Sequence, residues 1–243
     1  MNVKKSAPWF YHDAELQSGM SVTLTDEEAR HAAGSRRLEQ GDALTLFDGR
    51  GTIAEAVVGE IGKRGRDVVL TIAGTRTVAS PILPLHLASA LPKGDRLAVM
   101  LDMATQLGMS SFTPLDCERS VVKVSDNAER RWHRILIEAC KQSRRPYLPE
   151  VQPALSPGAL MQHCKGEVWI AHPDGISPTA LPSPVGDSLT ILIGPEGGFT
   201  ESEIAMVSAC GARKVSLGTG ILRIESAAVA MLAYARLTFA ANE

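Results

Sequence analysis

The sequence predicts a small β-rich module followed by an α/β domain built on a parallel sheet. Three observations predict it. Residues 1–77 hold short apolar runs divided by Asp-Gly and Gly-x-x-Gly turns. Residues 78–243 alternate strand-length and helix-length runs. Two late strands end on glycine loops that open helices, near Gly194–Phe199 and Leu217–Glu225. Short strands joined by tight turns suggest a small barrel. Strands alternating with helices indicate a parallel sheet covered on both faces.

In the first module, Thr25 and Glu28 have capping-box spacing, which predicts a short helix that Gly34 ends. Residues 42–47 and 52–60 read as strands around Phe47-Asp48-Gly49-Arg50-Gly51, a hairpin signal. Gly62-Lys63-Arg64-Gly65 is a second turn, before a strand at Val68–Ala73. The stretch Thr77–Pro84 carries two prolines and reads as a linker.

The second part then runs strand Leu85–Leu91, helix Asp95–Leu107 closed by Gly108, strand Phe112–Leu115 and a helix over 127–143. Strand Val168–Ala171 precedes a Pro-, Gly- and Ser-rich loop over 172–187. Strand Leu189–Ile193 leads to helix Glu201–Cys210, with Thr200 and Glu203 as its capping box and Gly211 beyond its end. Strand Lys214–Leu217 and an alanine-rich helix over 226–241 complete the chain, and no internal repeat is present.

Composition narrows the function. Apolar residues make up 44% of 243 residues and charged residues 21%, which is ordinary for a globular protein. At 5% aromatic, wide base-stacking platforms are excluded. A net charge of −2 leaves RNA binding to local patches. Cys117, Cys140, Cys164 and Cys210 form no CxxC pair, and the six histidines show no metal-ligand spacing. The thiols read as reduced, and no apolar run has signal-peptide or membrane-span length, so the expectation is a cytoplasmic protein without metal or membrane.

The two glycine loops carry the chemistry. Beyond the carboxyl end of a parallel strand, a loop that opens a helix offers bare N–H groups to a ligand. The same Pro195-Glu196-Gly197-Gly198 pattern also suits a plain tight turn. Gly218-Thr219-Gly220 begins like a dinucleotide fingerprint, but Arg223 stands at the third glycine position, which argues against a nicotinamide enzyme. Arg223 and Glu225 are either reactive groups or a capping ion pair at a helix start. His172 either lines a pocket or is structural. Arg130, Arg134 and Lys141 share a helical stripe, continued by Arg144 and Arg145, and Arg36-Arg37 forms a second cluster. Each cluster is either an RNA contact or a solvated face.

At this point the chain resembles the RsmE family of bacterial 16S rRNA uridine-N3 methyltransferases, within the knotted SPOUT superfamily. The resemblance spans nearly the full length. It rests on Leu46-Phe47-Asp48-Gly49, Leu91-Pro92-Lys93-Gly94-Asp95-Arg96, Ala104-Thr105-Gln106-Leu107-Gly108 and Glu118-Arg119-Ser120. Glu138-Ala139-Cys140-Lys141-Gln142-Ser143-Arg144, Ile193–Phe199, Leu217-Gly218 and Ile221-Leu222-Arg223 complete it. The chain has Thr219-Gly220 where the family usually has Pro-Arg, and Ile224 and Ser226 where it usually has Thr.

The resemblance implies a PUA-like barrel over 1–77 and an α/β SPOUT domain with a deep trefoil knot over 78–243. It implies S-adenosylmethionine as cofactor, 16S rRNA or the small ribosomal subunit as partner, and a homodimer. The cofactor would lie on Ile193, Gly194, Pro195, Glu196 and Gly197 of the first loop. Leu217, Gly218, Ile221 and Leu222 of the second loop would hold it too, with Ala171 and His172 after the preceding strand. Arg223 and Glu225 would be catalytic. RNA would meet Arg36, Arg37, Lys93 and Arg119, together with Arg130, Arg134, Lys141, Arg144 and Arg145.

Overall fold

The computed structural model describes residues 7–125, 127–184 and 186–239. The chain folds as two compact units. The first is the chain up to Ser80 together with Cys140–Leu148, and the second is Pro81–Ala139 with the chain from Pro149 onward.

The first unit is a five-stranded curled sheet. Its strands are β1 (Trp9–Tyr11), β2 (Ser21–Thr25), β3 (Ala43–Phe47), β4 (Thr52–Ile61) and β5 (Asp67–Thr77). Their spatial order is β1-β3-β4-β5-β2. Only β1 with β3 is parallel. Two irregularities in the β4–β5 ladder, at Glu55/Ala56 and Val58/Glu60, let the long strands curl. Phe10, Leu24, Leu44, Leu46, Leu70 and Ile72 fill the concave side. The predicted hairpin forms at Asp48, whose Oδ1 accepts from Arg50 N at 2.8 Å and Thr52 N at 2.9 Å.

The helix α1 (Asp26–Arg30) lies where the sequence places one, but the predicted capping box is absent. Thr25 makes no side-chain cap. Glu28 turns elsewhere: its Oε2 accepts from Tyr11 N at 3.2 Å and its Oε1 from Lys141 Nζ at 2.8 Å. Gly34 does not stop the helix either, because the chain continues through a π turn over His31–Ser35.

The second unit holds a six-stranded, all-parallel sheet. In chain order it runs β6 (Leu85–Ser89), α2 (Arg96–Gln106), β7 (Met109–Pro114), α3 (Ala128–Ser143), β8 (Glu150–Val151) and α4 (Pro157–Met161). It continues with β9 (Glu167–Ile176), β10 (Leu189–Ile193), α5 (Glu201–Ala209), β11 (Arg213–Val215) and α6 (Ile224–Phe239). The strand order is β11-β9-β10-β6-β7-β8. Every residue of β10, Leu-Thr-Ile-Leu-Ile, is buried, as a central parallel strand demands. On α3, Trp132 meets Phe112 of β7 edge-on at 5.6 Å, which seats the apolar side of that helix on the sheet.

Two readings need correction. The loop predicted over 172–187 is strand as far as Ile176, because β9 goes on pairing with β11 through the register Val215↔Ile176. The elements β8 and α4 were unpredicted, being too short for any periodicity to register. The end of the predicted last helix, residues 240 and 241, lies outside the described residues. The box at α5 forms as expected, with Thr200 Oγ1 accepting from Glu203 N at 3.3 Å and Glu203 Oε2 accepting from Thr200 N at 2.8 Å. Cys117 and Cys140 are buried, and burial pushes both thiols up to about 12.

Lys141 departs from its predicted basic stripe. Its side chain is 5% exposed, inside the first unit. There Nζ donates to Glu28 Oε1 at 2.8 Å, lies 2.9 Å from His31 Nδ1 and sits over the Phe10 ring. The 100° increment that aligns it with Arg130 and Arg134 says nothing of what packs over the last turn of a helix. Lys141→Ala strands the Glu28 carboxylate and should lower unfolding free energy by about 3 kcal/mol in urea denaturation. Exposed Arg130→Ala should change it by less than about 0.5 kcal/mol.

Candidate functional site

Three neighbouring strands, β9, β10 and β11, point their carboxyl ends at one cleft of about 540 Å³. That volume suits a cofactor-sized molecule. Ala171 and His172 of β9 form one side. Ile193, Gly194, Pro195, Glu196 and Gly197, at and after the end of β10, form the floor. Leu217, Gly218, Ile221 and Leu222, between β11 and α6, form the opposite wall. All eleven positions that the sequence singles out for a cofactor thus line one cavity.

Glycine is required at two of these positions for different reasons. A Cβ on Gly194 would lie 2.8 Å from the ring of Phe199, which is folded under the loop. Gly218 has φ +121°, a backbone state that side chains resist. The cleft wall is otherwise apolar and open, with Ile221 95% exposed and Leu222 44% exposed. Apolar side chains left bare beside backbone N–H and C=O groups suit a ligand with a flat apolar part and a polar part.

Arg119 also lines this cleft. Its Nη1 donates to the carbonyl oxygens of Gly197 at 2.8 Å and Phe199 at 3.4 Å, so the guanidinium braces the loop from outside. The segment bearing Arg119 is held in turn by Glu203, whose Oε1 accepts from Glu118 N at 2.9 Å. One carboxylate therefore serves both the cap of α5 and the anchor of the brace.

Arg223 lines the cleft, is exposed, and makes no ion pair among the described residues. Glu225 does not face Arg223 and does not line the cleft. Its Oε1 lies 3.8 Å from Arg96 Nη1, and its Oε2 is buried with no hydrogen-bond partner among the described residues. The anticipated Arg223–Glu225 pair is therefore replaced by Arg96–Glu225. Arg96 also reaches Glu196 Oε1 at 3.4 Å, linking the first glycine loop to the start of α6. Sequence reading gives Arg96 no role. The usable signal was its place as first residue of α2, where the helix dipole disfavours a cation.

The remaining basic positions are dispersed. Arg36, Arg37 and Arg144 are exposed in the first unit, and Arg145 is half-buried there. Lys93, Arg130 and Arg134 are exposed in the second. His172 uses Nδ1 to accept from Asp174 N at 3.1 Å, which orients its ring at the cleft edge.

A parallel sheet with a glycine-walled cleft at its carboxyl edge, preceded by a curled β unit, defines a class. Residues 79–236 match the model of the RNA methyltransferase domain, and residues 24–70 match that of the RNA methyltransferase PUA domain. Among curated relatives, ribosomal RNA small subunit methyltransferase E of Synechocystis sp. is 33% identical over 88% of this chain and 72% of its own. The enzyme of the same name from Mycobacterium bovis is 32% identical over 92% of this chain and 88% of its own. The chain belongs to the ribosomal RNA small subunit methyltransferase E family, of the SPOUT fold. The solved structure of that enzyme from Neisseria gonorrhoeae, bound to S-adenosyl methionine, is similar with TM-score 0.89 and 28% identity. It covers 98% of this chain and 100% of its own. A Legionella pneumophila methyltransferase structure with the cofactor SAM gives TM-score 0.88 at 30% identity, over 96% of this chain and 98% of its own.

Arg119→Ala should loosen the first loop without unfolding the sheet. Backbone amides over 197–200 should exchange with deuterium faster by about tenfold or more, as expected for losing hydrogen bonds from a charged donor. The amides of β10 should keep their protection, measured in the same experiment.

Proposed function

We propose that this chain transfers a methyl group from S-adenosylmethionine to N3 of a uridine in the 16S rRNA of the small ribosomal subunit. The observation that carries this reading is that the eleven positions the family resemblance implies for the cofactor line one cofactor-sized cleft. The cofactor-bound relatives of the same fold support it.

The residues present fit the cofactor. Gly194 sets no side chain over its own backbone, and the Ile193, Ile221 and Leu222 side chains give an apolar bed for an adenine. Arg119 keeps the first loop in shape by holding two of its carbonyls. When bound, the cofactor supplies a sulfonium-activated methyl, so the protein's tasks are positioning and one proton. The target uracil must leave its stack and its pair to expose N3. Losing the N3 proton to solvent water makes an imide anion, and the unpaired Arg223 guanidinium at the cleft is placed to offset that charge. Glu225 acts as a positioning residue: with Arg96 it ties the start of α6, and hence Arg223, to the first loop.

The exposed basic residues Arg36, Arg37, Lys93, Arg130, Arg134 and Arg144, with half-buried Arg145, serve the RNA backbone in this reading, and Lys141 serves the fold. The protein works in the cytoplasm as a homodimer. Val99 and Met103, one turn apart and exposed on α2, are apolar surface that a second copy would cover. No helix of the described residues is long and apolar enough to cross a membrane.

Mass spectrometry of 16S rRNA digests from cells with and without the gene tests the reaction. Loss of one 3-methyluridine on deletion, restored by the wild-type gene, is expected; an unchanged profile overturns the proposal. Arg223→Ala should lower kcat about 100-fold while calorimetry finds cofactor affinity unchanged.

A further inference from the structure

A second cavity, of about 780 Å³, lies elsewhere in the second unit and shares no residue with the first. Its floor is one face of the parallel sheet. Strand register sets Thr190 of β10 beside His86 of β6, and His86 beside Ser111 of β7. In the next row on the same face stand Leu192, Ala88 and Thr113. A sheet covered on both faces normally presents aliphatic side chains inward. Here Ser111, Thr113 and Thr190 are all buried and all face the cavity.

The hydrogen bonding of this row is incomplete. His86 Nδ1 and Ser111 Oγ lie 2.7 Å apart. Thr113 Oγ1 makes no hydrogen bond within the described residues and is left for an occupant of the cavity, as is the exposed His163 ring. Burial lowers the His86 imidazole below its ordinary value, so it is neutral and able to donate or accept. Ala88, small between larger neighbours, leaves the space open. Leu155 and Leu160 close the side opposite the sheet. At the rim, Lys165 and Asp187 cancel in charge.

We propose that this cavity is a binding site for an uncharged polyol, either the ribose ring of a nucleoside or a free sugar of that size. Hydroxyls and a neutral imidazole pair with hydroxyl groups in both directions, whereas an ion would need a net charge that the lining lacks. Adjacent strands are about 4.8 Å apart, so the Thr190–His86–Ser111 row spans about 10 Å, the length of a nucleoside. The apolar far wall suits the face of a sugar ring or a base. This site is separate from the methyl-transfer cleft and does not depend on the reading of that cleft.

The test is ligand-observed NMR on the full chain with D-ribose, uridine and adenosine, each with S-adenosylhomocysteine in excess, followed by crystal soaking to locate what binds. Expected is saturation transfer to at least one probe, with density against Ser111 and Thr113. Binding of ribose assigns the sugar, and binding of nucleosides alone assigns the nucleoside. The Ser111→Ala, Thr113→Val double variant keeps the volume and should weaken binding by about tenfold or more. Should that variant fail to fold, Ala88→Leu fills the cavity and should abolish the signal. No transfer to any probe in the wild type, density showing water only, or variant binding at wild-type strength each overturns the proposal.

Discussion

Two hydrogen bonds from one guanidinium define the first cleft. Loops rich in glycine are useful to a ligand because they expose backbone, and for the same reason they hold themselves together poorly. Gly197 and Gly198 contribute no side chain to pack. Arg119 supplies from outside what the loop lacks within, by fixing the carbonyls of Gly197 and Phe199. Phe199 then closes the underside against Gly194, and Thr200 begins α5 immediately afterwards. The carboxylate of Glu203 holds both the cap and the backbone beside Arg119. Remove the brace and the floor of the cleft keeps only its turn geometry, the Phe199 packing and the Arg96–Glu196 ion pair.

The strands and long helices of the second unit were legible because they repeat. Five buried residues in β10 and the 3.6-residue pattern of α3 bury apolar area in ways that a sequence displays directly. The cleft-lining positions were legible through glycine at strand ends, a pattern that a plain tight turn shares, and through family resemblance. The charged residues were harder. Lys141 reads as one of a row of cations, yet Glu28 and His31 wait for it across more than a hundred residues of chain. Nothing local announces such a partner. The Thr25–Glu28 spacing is equally ambiguous, because the same carboxylate can serve a cap or a distant amine, and a charge-assisted bond to a buried amine outweighs a solvent-exposed cap.

β9 shows a different limit. Pro173 and Gly175 look like loop residues, and in most settings they are. Here a Cβ on Gly175 would meet the backbone of Val215 at 2.5 Å, so the glycine permits β11 to approach and extends the ladder that its presence seemed to end. The short helix α4 and the two-residue strand β8 carry too few residues for periodicity to speak at all.

Arg96 joins these threads. A cation at the first position of a helix opposes the helix dipole, so its placement needs compensation. Glu196 and Glu225 provide it, one from the first loop and one from the first turn of α6. The arrangement costs α2 some intrinsic stability and couples the first loop to the start of α6. Glu225 keeps its other oxygen, Oε2, buried and without a hydrogen-bond partner among the described residues. A residue that looks like a misplaced charge in one helix is thus the electrostatic link between the first loop and the start of α6.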